Sequence, residues 1–139
     1  MKIDGGCFCG HVSYEAEVDP ARVAICHCTD CQSHSATAYG VVVPIVDDKF
    51  TVLTGALKTY VKTAESGTRR ALTFCPECGT RIHAHTEDGS PGLVGLRVGT
   101  VNQRAELKPV VQIWCRSAMP WVGDLHEIPK VETQISPPK

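Results

Sequence analysis

The chain reads as an all-β protein, and two observations predict it: apolar alternation with a period of two, and turn residues at short intervals. In residues 11–18, Val12, Tyr14, Ala16 and Val18 fall on one face of an extended segment. Further β-rich runs cover residues 38–43, 50–53, 57–62, 69–74, 80–85, 93–98 and 110–115. Turn chemistry separates them, at Asp19-Pro20, Asp47-Asp48, Thr54-Gly55, Ser66-Gly67 and Asp88-Gly89-Ser90-Pro91-Gly92. Short strands at that spacing predict a sandwich or an open barrel. One short helical segment is expected over 29–36, capped by Thr29 or Asp30. Residues 1–127 are read as a single domain. The tail over 128–139, with Pro129, Pro137 and Pro138, is expected to be poorly ordered.

Composition narrows the function. With 139 residues there is room for one core. Fourteen basic and 15 acidic residues leave a net charge of -1, and Arg69-Arg70 is the longest basic run, so no nucleic-acid partner is expected. No apolar run approaches the roughly 18 residues a membrane span needs. Met1 to Cys7 carries no apolar stretch of the secretory kind, which makes a cytoplasmic setting the expectation.

A reducing compartment makes eight cysteines conspicuous. Seven sit in three knots: Cys7 and Cys9; Cys26, Cys28 and Cys31; Cys75 and Cys78. An odd set of seven cannot pair completely, whereas thiolates spaced by one or two residues converge readily on one tetrahedral zinc ion. Counting ligands suggests a closed site of Cys7, Cys9, Cys75 and Cys78, leaving Cys26, Cys28 and Cys31 with one coordination position open. A zinc ribbon of Cys28, Cys31, Cys75 and Cys78 is the competing partition, and it strands three cysteines. A redox role for Cys75-Pro76-Glu77-Cys78 lacks the βαβ pattern that normally accompanies it.

Three motifs in order, Gly5-Gly6-Cys7-x-Cys9-Gly10-x-Val12-x-Tyr14, Cys26-His27-Cys28-x-x-Cys31 and Phe74-Cys75-x-x-Cys78-Gly79-Thr80, resemble the glutathione-dependent formaldehyde-activating enzyme family, also called the centromere protein V family. Trp114 and Pro120-Trp121 extend the likeness to about residue 122. The resemblance implies several coiled β-sheets wrapped around zinc, with two ions per chain. It implies a structural ion on Cys7, Cys9, Cys75 and Cys78 and a catalytic one on Cys26, Cys28 and Cys31. It further implies carbon–sulfur lyase chemistry between a glutathione-like thiol and a small aldehyde, formaldehyde in the family's name. A zinc-stabilised binding module on the same scaffold is the alternative, because fold does not imply function.

The chemistry of the residues is compatible with that role. Three thiolates make zinc a poor activator of water, yet a thiol arriving at the open position loses its proton and stays nucleophilic. His34, three residues after Cys31, is a candidate near the open position, and otherwise a polar surface residue. His27, between two ligands, is expected to point away from them. His83 and His85 share one strand face, expected to be solvated. His11 and His126 read as surface residues, Cys115 as a buried apolar thiol, and Trp114 and Trp121 as core or rim. A thiol bearing carboxylates calls for an arginine, and Arg69, Arg70, Arg81, Arg97, Arg104 and Arg116 stand unranked.

Overall fold

In the computed structural model, which describes residues 1–137, ten strands form two sheets beside one seven-residue helix. The strands are β1 (Lys2–Gly6), β2 (Ser13–Glu17), β3 (Ala24–Cys26), β4 (Gly40–Val46), β5 (Phe50–Thr54), β6 (Lys58–Thr63), β7 (Arg69–Phe74), β8 (Arg81–Thr86), β9 (Leu93–Arg97) and β10 (Val111–Ile113). The helix, α1, is Thr29–Ser35. The smaller sheet runs β1-β2-β5 and the larger β10-β3-β4-β9-β8-β7-β6. Neighbours are antiparallel except β10 with β3.

The all-β expectation holds, and alternation is its physical root. Val12, Tyr14, Ala16 and Val18 are all buried, joining Ile3, Val43, Ile45, Leu96 and Val98 in the core. Two strands, β1 and β3, carry no alternation signal. β1 carries Asp4 and two glycines, which hide its alternation, and β3 is three residues long and runs into the cysteine knot. β10 is shorter than expected because Trp114 adopts a left-handed backbone (φ 58°) that turns the chain. Residues 128–137 hold no strand or helix, and Pro138, part of the expected tail, lies outside the described residues.

A line of rings crosses from the smaller sheet to the larger. Tyr14 on β2 packs on Phe50 of β5 (5.0 Å between centroids), and Phe50 meets His83 of β8 edge-on (4.9 Å). His83 is only 8% exposed, which corrects the expectation of a solvated face there. The correction has a simple cause: the face that β8 shares with Leu96 of β9 is the one the smaller sheet covers. At the same interface the Tyr14 hydroxyl meets Thr100 Oγ1 at 2.7 Å, and Thr100 donates to the Arg97 carbonyl.

The register places another row across the larger sheet, in which Tyr60, Leu72, Ala84, Gly95 and Pro44 are cross-strand neighbours. Its central members, Ala84 and Gly95, are small. Leu72, Ala84 and Gly95 floor a trough, and α1 supplies its opposite wall with Asp30, Cys31 and His34.

Candidate metal centre

Local backbone geometry forms the first cluster. Cys7 closes the β1–β2 turn, its N–H donating to the Val12 carbonyl (3.0 Å) while Val12 N–H donates to Cys7 Sγ (3.1 Å). Gly10, at φ 84°, takes the left-handed position the turn requires. The Cys75–Thr80 turn between β7 and β8 is built alike, with Cys75 N–H on the Thr80 carbonyl, Glu77 N–H on Cys75 Sγ and Gly79 at φ 77°. Phe8 N–H donates to Thr80 Oγ1 (3.0 Å) and so docks one turn on the other. The Cys7, Cys9, Cys75 and Cys78 sulfurs then lie within 4.8 Å of one another. The Thr80 hydroxyl, 3.1 Å from Cys78 Sγ, holds that thiol down to about 5.

Cys26, Cys28 and Cys31 form the second cluster, also within 4.8 Å. Cys26 ends β3 and Cys31 lies in the first turn of α1. Cys28 is the N-cap of α1 itself, its sulfur accepting from Cys31 N–H at 3.2 Å. This corrects the expected Thr29 or Asp30 cap, since a thiolate can satisfy a helix-end N–H as a Ser or Asp oxygen does. The helix ends about two turns later at Ala36, in a left-handed conformation. The fold therefore does not form the ribbon grouping of Cys28 and Cys31 with Cys75 and Cys78.

Surrounding groups brace the second knot. His27 is buried and turned toward β10, where Nε2 meets Gln112 Oε1 at 2.7 Å. Gln32 donates to the carbonyls of both His27 and Ser117. Arg97, at the end of β9, donates from Nη1 to Cys31 Sγ (3.6 Å). Cys26 and Arg97, in that order of weight, hold the Cys31 thiol down to about 5, while burial pushes Cys28 up.

All eight cysteines are free thiols. Two compact groups of soft sulfur donors, four and three, suit tetrahedral zinc. The groups differ in setting. Cys26, Cys28 and Cys31 form part of the wall of a cavity of about 350 Å³, completed by Asp30, His34, Val42, Lys62, Arg70, Arg97 and Trp114 over the trough floor. A second chamber of about 470 Å³ adjoins it past His34 and Lys62, lined also by Ser33, Tyr60, Phe74 and Arg81. Both His34 ring nitrogens are buried with no protein partner. Burial, then the charges of Arg81 and Arg97, lowers its pKa to about 4, so His34 is neutral at pH 7.

The six arginines now separate. Arg70, Arg81 and Arg97 line the chambers, Arg69 pairs with Glu87 outside them, and Arg104 donates to the Val101 carbonyl. Arg116 lies over Trp114 (4.9 Å) at a neighbouring depression. Lys62 and Asp30 form an ion pair spanning from β6 to α1. Cys115 is exposed, which corrects its reading as a buried thiol: the turn at Trp114 carries it off the sheet. Trp114 and Trp121 are half-exposed, and His11 and His126 are exposed.

A sequence model of the family described as glutathione-dependent formaldehyde-activating enzyme matches residues 2–117, most of the chain. The chain belongs to that family. Both cysteine clusters lie inside the matched span. The crystal structure of a Rhodobacter sphaeroides protein is similar in fold, with a TM-score of 0.61 and 23% identity over 78% of this chain and 98% of that one. No curated protein matches this chain. Family membership supports thiol-adduct, formaldehyde-activating chemistry at the family level, with glutathione and an aldehyde as its substrates. Among the described residues no helix is long and apolar enough to cross a membrane.

Proposed function

We propose that the chain is a zinc-dependent carbon–sulfur lyase, joining a glutathione-like thiol to a small aldehyde such as formaldehyde and cleaving the adduct in reverse. One observation carries this reading. The cluster of three thiols, one short of a tetrahedral set, forms part of the wall of a cavity that also carries Arg70, Arg97 and Lys62. The four-thiol cluster lies instead between two docked turns, where Cys7, Cys9, Cys75 and Cys78 would hold an ion that staples those turns together.

When bound by Cys26, Cys28 and Cys31, zinc supplies the positive charge that lets an incoming thiol shed its proton. The chain's own groups do the rest. Arg70 and Arg81 offer guanidinium forks to the carboxylates of the thiol substrate. Neutral His34 offers ring nitrogens to the hydroxyl that develops as the aldehyde carbon bonds to sulfur. In balance, the thiol R–SH and formaldehyde give R–S–CH₂–OH: the S–H bond and the carbonyl π bond break, sulfur bonds to carbon, and the proton that leaves sulfur ends on the former carbonyl oxygen. Leu72 and Val42 give the same cavity an apolar side.

The test joins binding to turnover. Cobalt-substituted protein should change its visible absorption when glutathione is added, as the ligand set at one site goes from three sulfurs to four. Proton NMR exchange between formaldehyde, glutathione and S-hydroxymethylglutathione should then be faster with protein than in buffer. A cobalt spectrum indifferent to thiols would overturn the enzyme reading in favour of a binding module.

A further inference from the structure

We infer that Arg97 is a positioning residue for the three-cysteine site, and that residue 40 is glycine because any side chain there would push Arg97 off Cys31. The inference rests on the reading that Cys26, Cys28 and Cys31 hold a metal ion, and it concerns a group outside that ligand set.

Arg97 and Cys31 are 66 positions apart, and the sheet register brings them together. Arg97 sits opposite Val42 on β4, and Gly40, two residues before Val42, sits opposite Cys26 on β3. Side chains two apart on a strand share a face, so positions 40, 42, 97 and 26 all look into the same cavity. The Arg97 guanidinium is half-buried, and among the described residues it forms no ion pair with a carboxylate. A cation in that setting needs an anionic partner. Three thiolates around a divalent ion carry one negative charge in net, and Cys31 is the member that Arg97 reaches.

Gly40 shows what this contact requires. A Cβ built at Gly40 would lie 2.7 Å from Arg97 Nη1, closer than a real Cβ approaches a neighbouring atom. The same Cβ would lie 3.6 Å from Cys31 Cβ and 3.8 Å from Cys31 Sγ, which is ordinary contact. Gly40 lies in a strand and does not have a left-handed backbone, so neither a turn nor a positive φ explains the glycine. The space it leaves is filled by the guanidinium. Since Nη1 is the far end of a flexible side chain, an added methyl would displace Arg97 and leave the cysteines in place.

A hydrogen bond from a cation draws electron density from a ligating sulfur, offsets repulsion among the thiolates and fixes the ligand's direction. The test uses the full chain loaded with cobalt as wild type, R97M, R97K, G40A and the G40A/R97M double variant. Two measurements are made: the sulfur-to-cobalt charge-transfer absorption, and the rate at which each ion is lost to a chelator. R97M and G40A should each move the charge-transfer band to lower energy. Each should also release one of the two ions faster by about 10–100-fold, the usual effect of losing an outer partner of a metal ligand. R97K should fall between R97M and wild type. The double variant should match R97M alone, because G40A acts only through Arg97. Release of the second ion should not change.

Two bound ions with a wild-type spectrum in R97M would overturn the role of Arg97. Additive effects of G40A and R97M would overturn the explanation of Gly40. A wild-type protein that binds a single ion overturns the underlying reading of the three cysteines, an outcome distinct from both. Should R97M fail to fold, G40A and R97K carry the test between them.

Discussion

Cys9 Sγ and Cys75 Sγ lie 3.8 Å apart although 66 positions separate them in the chain. The cluster they share links the hairpin of β1 and β2, in the smaller sheet, to the turn between β7 and β8, in the larger. Cys26, Cys28 and Cys31 by contrast span six residues around one helix start. Metal binding that joins distant segments is also folding free energy, whereas a local site adds little to the global fold.

Cysteine substitutions should therefore divide the two clusters. Cys78→Ser is expected to give insoluble or unfolded protein, and Cys28→Ser a folded protein with one zinc fewer than wild type. Circular dichroism and elemental analysis of the purified variants decide it. Graded chelation of the wild type should remove the Cys26, Cys28 and Cys31 ion first, with the fold intact, and the second ion only as the fold is lost. Equal damage from both substitutions would defeat the division.

Much of this arrangement was legible in the sequence because it is local. The alternation of Val12, Tyr14, Ala16 and Val18 is a property of consecutive residues, as is the spacing of each cysteine knot. What was not legible depends on register. Nothing near Arg97 in sequence distinguishes it from Arg104; its nearness to Cys31 follows from β9 pairing with β4 and β4 with β3. The His83 and His85 pair was visible as one strand face, but which face the smaller sheet would cover depends on Phe50 arriving from another strand. The spacing of Cys28 marks it as a ligand, and only the start of α1 shows that its sulfur is also a cap.

Gly5 should not tolerate a side chain. A Cβ there would overlap the Thr100 carbonyl oxygen and the Tyr14 hydroxyl, one fixed by backbone and the other by its bond to Thr100. Since neither can move freely, Gly5→Ala is expected to cost about 1–3 kcal/mol, the usual range for overpacking a close-packed interior. Gly123→Ala meets open space and is the matched control. Denaturant melts of both variants measure the difference.

Burial, followed by the nearby charge of His85, lowers the pKa of His83 to about 4. An unfolded chain would bind a proton at this residue near pH 6.5. Between those values the unfolded state holds the extra proton, so stability falls as pH drops from 6.5 toward 4 and is fully present above 6.5. The loss from this residue is at most roughly 3 kcal/mol. His83→Gln should flatten that part of the profile, measured as the urea midpoint against pH. An unchanged slope would show that His83 is protonated within the fold.

The arginines of the chamber walls predict how the protein should choose among thiols. Glutathione carries two carboxylates and 2-mercaptoethanol none, while both present the same reactive group. Arg70→Met and Arg81→Met should each weaken glutathione binding by about tenfold, toward the low end for a lost hydrogen bond between charged groups because both chambers open to solvent. Binding of 2-mercaptoethanol should change little, because it has nothing for a guanidinium to hold. Asp30→Asn should act in the opposite direction, since it removes the one carboxylate of the chambers and frees Lys62 from its ion pair. Higher salt should reproduce the arginine losses in the wild type, selectively for glutathione, as surface-accessible charges are screened. Titrations of the cobalt-substituted variants with each thiol at two ionic strengths supply all of these values. Equal losses for both thiols would mean that the arginines support the shape of the site and do not read the substrate's charge.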